Sequence, residues 1–364
     1  MKAGIVGLPN VGKSTLFNCL SNAKAQSANF PFCTIEPNIG VVNVPDPRLS
    51  KLEELVVPEK VIPATVEIVD IAGLVKGASK GEGLGNQFLG NIRETDAILH
   101  VLRCFDDDNI IHVDGNVDPI RDKETIDMEL QLKDLETTEK KLEKVKRASR
   151  TGNKEAQKEE VILLKIKDNL EAGISIRALD FSEDDYLEFV KPLQFISDKP
   201  VMYICNVDEN SAISGNSYVD LVKENVAHEN AEVLVLAVGT EADINELDDY
   251  EERKMFLQDI GLDEPGSAKL IRSAYKLLTL QTYFTAGVKE VRAWTINIGS
   301  SAPQAAGVIH TDFEKGFIRA EVIAYTDFVS FGSEAKVKEA GKMRVEGKNY
   351  TVKDGDVMHF LFNV

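Results

Sequence analysis

The stretch Gly7-Leu8-Pro9-Asn10-Val11-Gly12-Lys13-Ser14 decides the fold, because it matches G-x-x-x-x-G-K-[ST], the phosphate-binding loop of P-loop NTPases. The apolar run before it, Lys2 to Val6, is typical of a short strand. Apolar positions at helical spacing follow it at Leu16, Leu20 and Ala23. A position between a strand and a helix favours a nucleotide site over the alternative of a chance glycine turn.

Residues 7–14, called the P-loop below, have separate expected roles. Glycines let the backbone turn successive N–H groups toward a phosphate, and the N-terminus of the following helix adds partial positive charge. Lys13 is expected to reach the β- and γ-phosphates, and the Ser14 hydroxyl is expected to bind Mg²⁺.

A second motif of this kind follows another predicted strand. Thr65 to Asp70 has strand character and ends in an acid, and Gly73 completes the pattern D-x-x-G. In P-loop NTPases such an aspartate holds Mg²⁺ through its water shell, and the glycine N–H meets the γ-phosphate. The pattern is weak alone, but it is specific on the next buried strand after a P-loop.

Thr34 is the candidate for the threonine that closes over Mg²⁺ when a γ-phosphate is present. It lies in a predicted loop of small and polar residues, 23–37, before the strand that begins at Gly40. The alternative is an ordinary solvent-exposed loop threonine.

Position 74 carries Leu74, where Ras-like enzymes place the glutamine that orients the attacking water. Leucine neither donates nor accepts, so either hydrolysis is slow or another group positions the water. The candidates are Lys76, Lys80, Asn86, Arg93 and His112. The glycines that follow position 73 predict a nucleotide-dependent order–disorder switch, with a merely flexible loop as the alternative.

His112 is the candidate from this set for contact with the γ-phosphate. It follows the buried strand predicted at 97–105 and stands among apolar residues in Ile110-Ile111-His112-Val113. A histidine in such surroundings is more often a packing residue with satisfied hydrogen bonds. Both roles therefore stay open.

Residues 126–173 are dominated by Glu and Lys and contain no proline. Apolar residues at positions 132, 135, 142 and 145 form a coiled-coil-like stripe, Gly152 interrupts it, and a second charged helix follows. The pattern predicts an antiparallel helical hairpin, either a solvated spacer or an arm for a large partner.

The base side of the site is expected where the strand predicted at 200–205 ends, at Asn206-Val207-Asp208-Glu209. Guanine-specific enzymes of this fold carry Asn-Lys-x-Asp here, and the aspartate accepts from two guanine N–H groups. In this chain Val207 replaces the lysine and Glu209 replaces the aspartate. We therefore expect the guanine preference to be lost.

The chain from Gln281 onward predicts an α+β module of β-grasp type, with strands at 291–298, 320–325, 348–352 and 357–362. The module is locally basic, which predicts an RNA surface or, alternatively, ordinary surface lysines. The basic residues are His310, Lys315, Arg319, Lys336, Lys338, Lys342, Arg344 and Lys348.

Composition limits the remaining classes. A net charge of −18 over 364 residues excludes a polycationic clamp for DNA, so any RNA contact must be local. No run approaches the roughly 18 apolar residues of a membrane span. The chain enters its first strand at once, so we expect no signal peptide. Four unpaired cysteines predict buried free thiols and a cytoplasmic protein.

Four stretches, 7–14, 29–37, 70–86 and 280–294, closely resemble the Obg-like ATPase family, YchF subfamily of the P-loop (TRAFAC) NTPases. The resemblance covers essentially the whole chain. It implies an α/β, doubly wound G domain with an inserted antiparallel coiled-coil arm and a C-terminal α+β, β-grasp (TGS) domain. The expected ranges are 1–125 with 192–280 for the G domain, 126–191 for the arm and 281–364 for the TGS domain.

The resemblance also implies site residues. Asn10, Val11, Gly12, Lys13, Ser14 and Thr15 line the phosphates, Ser14 and Thr34 flank Mg²⁺, and Val207 lies beside the base. Asn206 and Glu209 satisfy the Asn-x-x-Glu pattern of the subfamily. We expect Lys13, Thr34, Gly73 and His112 to act in hydrolysis, with Asp70 as the third metal-side residue.

The expected activity is ATP hydrolysis with Mg²⁺, in preference to GTP, by a ribosome-associated monomer. K⁺ is a further candidate cofactor, with Asn10 as its ligand. Two alternatives stay open, an ordinary GTPase of the Obg type and a nucleotide-gated binding protein with negligible turnover.

Overall fold

A computed structural model of the protein describes residues 1–22, 39–71, 85–247 and 249–363. The strands are β1 (Lys2–Val6), β2 (Ile39–Asn43), β3 (Val61–Ile62), β4 (Thr65–Asp70), β5 (Ala97–Arg103), β6 (Val201–Asn206), β7 (Glu232–Leu236), β8 (Leu280–Ala286), β9 (Val291–Asn297), β10 (Phe317–Ala324), β11 (Arg344–Glu346) and β12 (Asp356–Phe362).

The helices occur between these strands, singly or in groups of two or three. They are α1 (Lys13–Asn22), α2 (Pro47–Val56), α3 (Gly85–Arg93), α4 (Pro119–Ser149), α5 (Lys154–Glu171), α6 (Glu183–Asp185), α7 (Ser217–Val226), α8 (Val238–Glu246), α9 (Tyr250–Asp259), α10 (Gly266–Leu277), α11 (Ala302–Ile309), α12 (Thr311–Lys315), α13 (Tyr325–Phe331) and α14 (Glu334–Glu339).

The first sheet has the strand order β2-β4-β1-β5-β6-β7. The pairs β1–β4, β1–β5, β5–β6 and β6–β7 are all parallel. The strand β5 is buried along its whole length, as expected of a central strand covered on both faces. Because β1 lies between β4 and β5 and the three strands are parallel, the loops that follow them lie at the same edge of the sheet. Doubly wound sheets bind ligands at this edge.

The helical arm consists of α4, α5 and the short turns that follow them. Lys141 pairs with Glu159 and Gln131 bonds to Ser175, so residue numbers rise on one helix as they fall on the other, and the pair is antiparallel. Asn153 caps α5 by accepting from the N–H groups of residues 155 and 156, which ends the turn at Gly152. The predicted hairpin is confirmed.

The prediction of which apolar residues of the arm are buried is partly wrong. Leu142 and Val145 are buried, but Leu132 is exposed. On α5 the buried face carries Ile162 and Ile166, whereas Val161 is exposed. Charged residues on all sides of these helices leave the sequence pattern too weak to fix the phase.

The second sheet has the order β11-β10-β12-β8-β9-β3, with β8 antiparallel to β9 and parallel to β12. A hairpin followed by a helix and a central parallel pair is the topology of a β-grasp domain. Residues 348–352 were predicted as a strand, which is wrong, because Thr351 makes only an isolated bridge with Ser301. Two strands of this module were not predicted: the short β11, and β8, whose first five residues are all buried and show no alternation.

The chain divides into two compact units. Of the described residues, the first unit contains 1–22, 39–40, 67–71, 85–247 and 249–267, and the second contains 41–66 and 268–363. In the second unit, Arg48 of α2 forms an ion pair with Asp354 (2.7 Å), and β3 extends the second sheet beside β9. This division places 41–66 differently from the predicted domain ranges, which stay a prediction.

Candidate functional site

The P-loop joins β1 to α1 at the edge where the strands of the first sheet end. Two of its glycines are required by close approaches. A Cβ at Gly7 would lie 2.6 Å from the carbonyl oxygen of Val101 on β5. Gly12 has a φ of +99°, and a Cβ there would lie 2.5 Å from Asn206 Nδ2. The sequence motif therefore reflects packing against β5 and β6 as well as room for a phosphate.

Asn206, at the end of β6, fastens the P-loop to the sheet. Its Nδ2 donates to the carbonyl oxygen of Val11 (2.9 Å), and its Oδ1 accepts from the N–H of Val238 (3.1 Å). One side chain thus ties the P-loop to the start of α8. The predicted contact of Asn206 with the base stays a prediction, since its amide oxygen and one amide hydrogen already bond to the backbone.

Lys13 is the buried cation of the site. It begins α1, it is 7% exposed, and its Nζ donates to the carbonyl oxygen of Leu8 (2.6 Å). Burial lowers the pKa of Lys13 to about 8, and attraction to Asp70 offsets only part of that effect. The ammonium group is therefore held where its positive charge is poorly solvated.

Asp70 ends β4 beside Ile5 of β1. Burial raises the pKa of Asp70, against the opposite influence of Lys13 and of the Ser14 hydroxyl, which donates to Asp70 Oδ2 over 3.4 Å. Among the described residues, Asp70 Oδ1 is buried without a hydrogen-bond partner. A buried carboxylate oxygen with spare lone pairs beside a hydroxyl fits a hard divalent cation or its bound water.

The other residues predicted near the phosphates are placed as follows. Val11 is buried, whereas Asn10 and Thr15 are exposed at the two ends of the loop and helix junction. Asn10 has a left-handed φ of +63°, and its Nδ2 donates to the carbonyl oxygen of Ile111 (3.1 Å). Thr34, Gly73 and Leu74 lie outside the described residues, so their predicted roles stay predictions.

The base side is apolar at its floor and polar at its rim. Val207 is buried, and its N–H donates to the carbonyl oxygen of Leu236 (3.0 Å). Glu209 is exposed in a short 3₁₀ turn, Glu209–Ser211, which Asp208 caps. Val207 is thus buried and Glu209 exposed at the end of β6, and their contacts with a base stay predictions.

His112 lies in the loop between β5 and α4 and has both ring nitrogens engaged. Its Nε2 is 2.8 Å from Asp122 Oδ2, and its Nδ1 accepts from the N–H of Asp114 (3.1 Å). This is the satisfied packing arrangement considered above. A catalytic role for His112 stays a prediction, and it requires the imidazole to leave these partners.

Arg103 is a residue of this region that sequence reasoning missed. It is buried at the end of β5 and donates to the carbonyl oxygens of Phe105 (3.1 Å), Asp107 (3.0 Å) and Ile110 (2.8 Å). The loop that carries His112 is thus built around one guanidinium. An arginine inside an apolar strand was the available signal, since buried charge requires partners.

A second buried charge cluster, called the arm root below, lies where the helical arm begins. Lys123 pairs with Asp127 (3.0 Å) and Glu229 (2.7 Å), and Arg177 pairs with the same two acids (2.9 and 3.5 Å). Tyr203 also donates to Glu229 (2.6 Å). Each ion therefore has two partners of opposite charge.

The thiols behave as predicted within the described residues. Cys19, Cys104 and Cys205 are free and buried. Burial raises the pKa of the Cys19 thiol to about 11. Cys33 lies outside the described ranges.

Comparison with known proteins agrees with this geometry. A family described as a 50S ribosome-binding GTPase matches residues 2–146, and the YchF GTPase C-terminal family matches residues 280–363. The protein named "Ribosome-binding ATPase YchF" from Escherichia coli O157:H7 is 59% identical over 363 residues, which cover 100% of this chain and 99% of that protein. The chain belongs to the YchF family.

Other YchF proteins extend the similarity. The Bacillus subtilis protein of the same printed name is 54% identical over 366 residues, with full coverage of both chains. The solved structure of the Schizosaccharomyces pombe YchF GTPase is 39% identical, has a TM-score of 0.90, and covers 99% of this chain and 97% of its own. The predicted family and the P-loop α/β fold with its arm and C-terminal module are confirmed. Within the described ranges, the structure contains no helix that is long and apolar enough to span a membrane.

Proposed function

We propose that this chain is a ribosome-binding ATPase whose nucleotide state controls its contact with the translation machinery. The single observation that carries the nucleotide site is that the buried ammonium of Lys13, at the start of α1, and the partnerless buried Oδ1 of Asp70, at the end of β4, are placed by neighbouring parallel strands at the same edge of the first sheet. A triphosphate with a divalent cation supplies the missing charges of both signs. The similar proteins named ribosome-binding ATPases support the choice of activity and partner.

The residues of the site divide the work of phosphoryl transfer. Lys13 neutralises β- and γ-phosphate charge, and the N–H groups of the P-loop orient the phosphates. Ser14, Asp70 and Thr34 are the proposed metal-side residues for Mg²⁺, which supplies charge stabilisation when bound. Gly73 is the proposed backbone donor to the γ-phosphate.

Slow hydrolysis is expected because Leu74 stands where a water-orienting glutamine would be. His112 is the proposed substitute, and it must first leave Asp122. Asn10 is the proposed K⁺ ligand through its side-chain oxygen, since its amide nitrogen donates to Ile111. Equal turnover in Na⁺ and K⁺ would remove K⁺ from the proposal.

The proposed preference for ATP rests on Val207 and Glu209. A guanine-selective aspartate accepts two N–H groups at a fixed depth, and glutamate is one methylene too long for that geometry. Competitive binding of ATP and GTP to nucleotide-free protein at matched Mg²⁺ tests this preference. ATP is expected to bind more tightly, and tenfold tighter binding of GTP would make the chain a GTPase.

Ribosome contact is proposed through the basic residues of the C-terminal module. Arg344 pairs with Glu346 (3.1 Å) and His310 with Asp312 (3.3 Å), so we assign the contact to the exposed lysines. Co-sedimentation with ribosomes in ATP and in ADP tests it, with the double variant of Lys336→Glu and Lys338→Glu in parallel. The wild type should co-sediment in a nucleotide-dependent way and the variant should bind less. Equal binding would place the contact elsewhere.

A nucleotide-gated binding protein with negligible turnover is the second candidate, favoured by Leu74. Turnover that no partner stimulates would support it. We also propose that the protein is a cytoplasmic monomer and that it binds no DNA. Its proposed domains are the G domain, the arm and the TGS domain, with the ranges given above.

A further inference from the structure

The carboxylate that faces His112 belongs to the helical arm. His112 Nε2 and Asp122 Oδ2 are 2.8 Å apart, and the two side chains are only 4% and 2% exposed. Asp122 lies in the first turn of α4, a helix of 31 residues that begins at Pro119. A buried hydrogen bond therefore joins the side chain of a candidate catalytic residue to the first turn of the arm.

The bond leaves the imidazole without a free nitrogen. Because Nδ1 of His112 accepts from the N–H of Asp114, the ring proton must sit on Nε2, which donates it to Asp122. In this arrangement the ring can neither accept from a water molecule nor donate to a phosphate. We call this arrangement, in which Nε2 of His112 is bonded to Asp122, the stored position.

The same loop nevertheless reaches the P-loop. Asn10 donates to the carbonyl oxygen of Ile111, the residue directly before His112 (3.1 Å). Arg103 braces the preceding turn through three carbonyl oxygens, including that of Ile110 (2.8 Å). The backbone next to His112 is thus held beside the phosphate site while its side chain bonds to the arm.

Asp122 is itself fixed to α4. Arg121 donates to its Oδ1 through Nε (3.3 Å) and a terminal guanidinium nitrogen (3.1 Å), and the N-terminus of a helix favours a carboxylate in its first turn. The next residue, Lys123, belongs to the arm root. The Asp122 carboxylate is therefore held in place by groups of the first turn of α4.

We propose that Asp122 is a positioning residue for the ATPase reaction, an inference that rests on the function proposed above. Asp122 holds His112 in the stored position. A shift of the first turns of α4 releases the imidazole toward the γ-phosphate. The arm thereby becomes the element through which a large bound partner, such as the ribosome, controls turnover.

The test compares Asp122→Ala and Asp122→Asn with the wild type in the full-length protein. A buried Nε2–H without a partner is unfavourable, so the ring leaves the stored position in Asp122→Ala. The kcat for ATP without ribosomes should rise by roughly fivefold, with KM unchanged and a smaller stimulation by ribosomes. Asp122→Asn keeps a neutral acceptor and should fall between the two. Adding His112→Ala to Asp122→Ala should abolish the rise.

Asp127→Asn is the matched control. Asp127 lies on the same helix, is buried and forms ion pairs, but its partners are Lys123 and Arg177. It should lower the thermal unfolding temperature at least as much as Asp122→Asn does, without raising kcat. A rise of equal size in the control would show that general loosening of the arm, and not release of His112, causes the effect.

A readout independent of activity separates this inference from the proposed function. Nitrogen-15 NMR of the imidazole should show a proton on Nε2 of His112 in the wild type and a mixture of tautomers in Asp122→Ala. Absence of ATP hydrolysis in the wild type would overturn the proposed function. An unchanged or lower kcat in a folded Asp122 variant, or an unchanged imidazole spectrum, would overturn the role of Asp122. If Asp122→Ala does not fold, Asp122→Asn decides by the same criteria.

Discussion

The phosphate site, which contains Lys13 and Asp70, and the arm root are both clusters of oppositely charged side chains. They differ in how far the neighbouring charges stabilise the ionised forms. At the phosphate site, burial dominates: the pKa of Lys13 falls to about 8 and the pKa of Asp70 rises. At the arm root, burial alone would lower the pKa of Lys123 and raise that of Asp127. The partners reverse both effects, so the pKa of Lys123 is raised and that of Asp127 is lowered.

The pKa values of Arg177 and Glu229, the other two ions of the arm root, are also shifted in favour of the charged forms. Burial opposes ionisation, yet Asp127 raises the pKa of Arg177, and Lys123 with Tyr203 lowers the pKa of Glu229. All four ions are therefore stabilised in their charged forms by each other. A cluster with matched partners fixes structure, whereas ions whose charged forms are disfavoured mark a place that binds a charged ligand.

Loss of the Lys13 ammonium should have the largest effect on function and little on stability. We expect Lys13→Ala to abolish ATP hydrolysis, because no other described cation replaces it at the phosphates. ATP affinity should fall about ten- to a hundredfold, as for the loss of one charge-assisted hydrogen bond. Steady-state phosphate release and ATP titration measure these effects. Wild-type turnover in this variant would place the site elsewhere.

The arm root should show the opposite pattern. Truncation of one partner leaves buried charges unpaired, so Asp127→Ala should lower the free energy of unfolding by roughly 3–5 kcal/mol, with ATP affinity retained. Denaturant unfolding measures the change. Lys141→Ala, which breaks the partly exposed pair with Glu159 (2.8 Å), is the control and should cost at most about 1 kcal/mol. Equal losses in the two variants would contradict the comparison.

At the proposed base side, the described charged residues Asp208 and Glu209 are exposed, so changes there should alter selectivity. Combining Glu209→Asp with Val207→Lys should shift binding toward GTP by roughly 1.5–3 kcal/mol, about one to two orders of magnitude. Competitive titration of ATP against GTP measures the shift, and a thermal melt checks that lysine is tolerated at the buried position 207. An unchanged preference in a folded variant would show that other groups select the base.

His100 should make the free energy of unfolding depend on pH, and residues of the arm root influence its pKa. Burial, with a smaller opposing effect of Asp127, lowers the pKa of His100 to about 4. The unfolded chain therefore takes up the proton first as the pH falls, and stability present above the normal histidine pKa is lost toward the folded-state value. We expect a loss of roughly 2 kcal/mol between about pH 7 and about pH 5. His100→Gln should remove this part of the pH dependence, and an unchanged pH dependence in a folded His100→Gln variant would contradict the prediction.

The contrast between the two clusters also explains what the sequence could predict. The P-loop is contiguous, and its spacing is fixed by backbone contact with a phosphate, so Gly7, Gly12 and Lys13 were identified from eight residues. Asp70 was found because it ends the neighbouring parallel strand. These features are local, and the fold of the first sheet follows from them.

The arm root could not be predicted in this way. Its members come from α4, from the turn that contains Arg177, and from the loop that contains Glu229, and each one alone is typical of a solvated surface. The strand β8 escaped notice for a related reason, since a strand buried between two neighbours lacks the alternation that marks a half-buried one. Asp122 precedes the helical region predicted at 126–173, and only the structure places it in α4 against His112.

The most direct test of the account is the rate of phosphate release from ATP, measured with and without ribosomes, for the wild type, Lys13→Ala and Asp127→Ala. We predict slow release by the wild type that ribosomes accelerate, no release by Lys13→Ala, and release by Asp127→Ala at temperatures where it stays folded. Turnover retained in Lys13→Ala, or lost in folded Asp127→Ala, would contradict it.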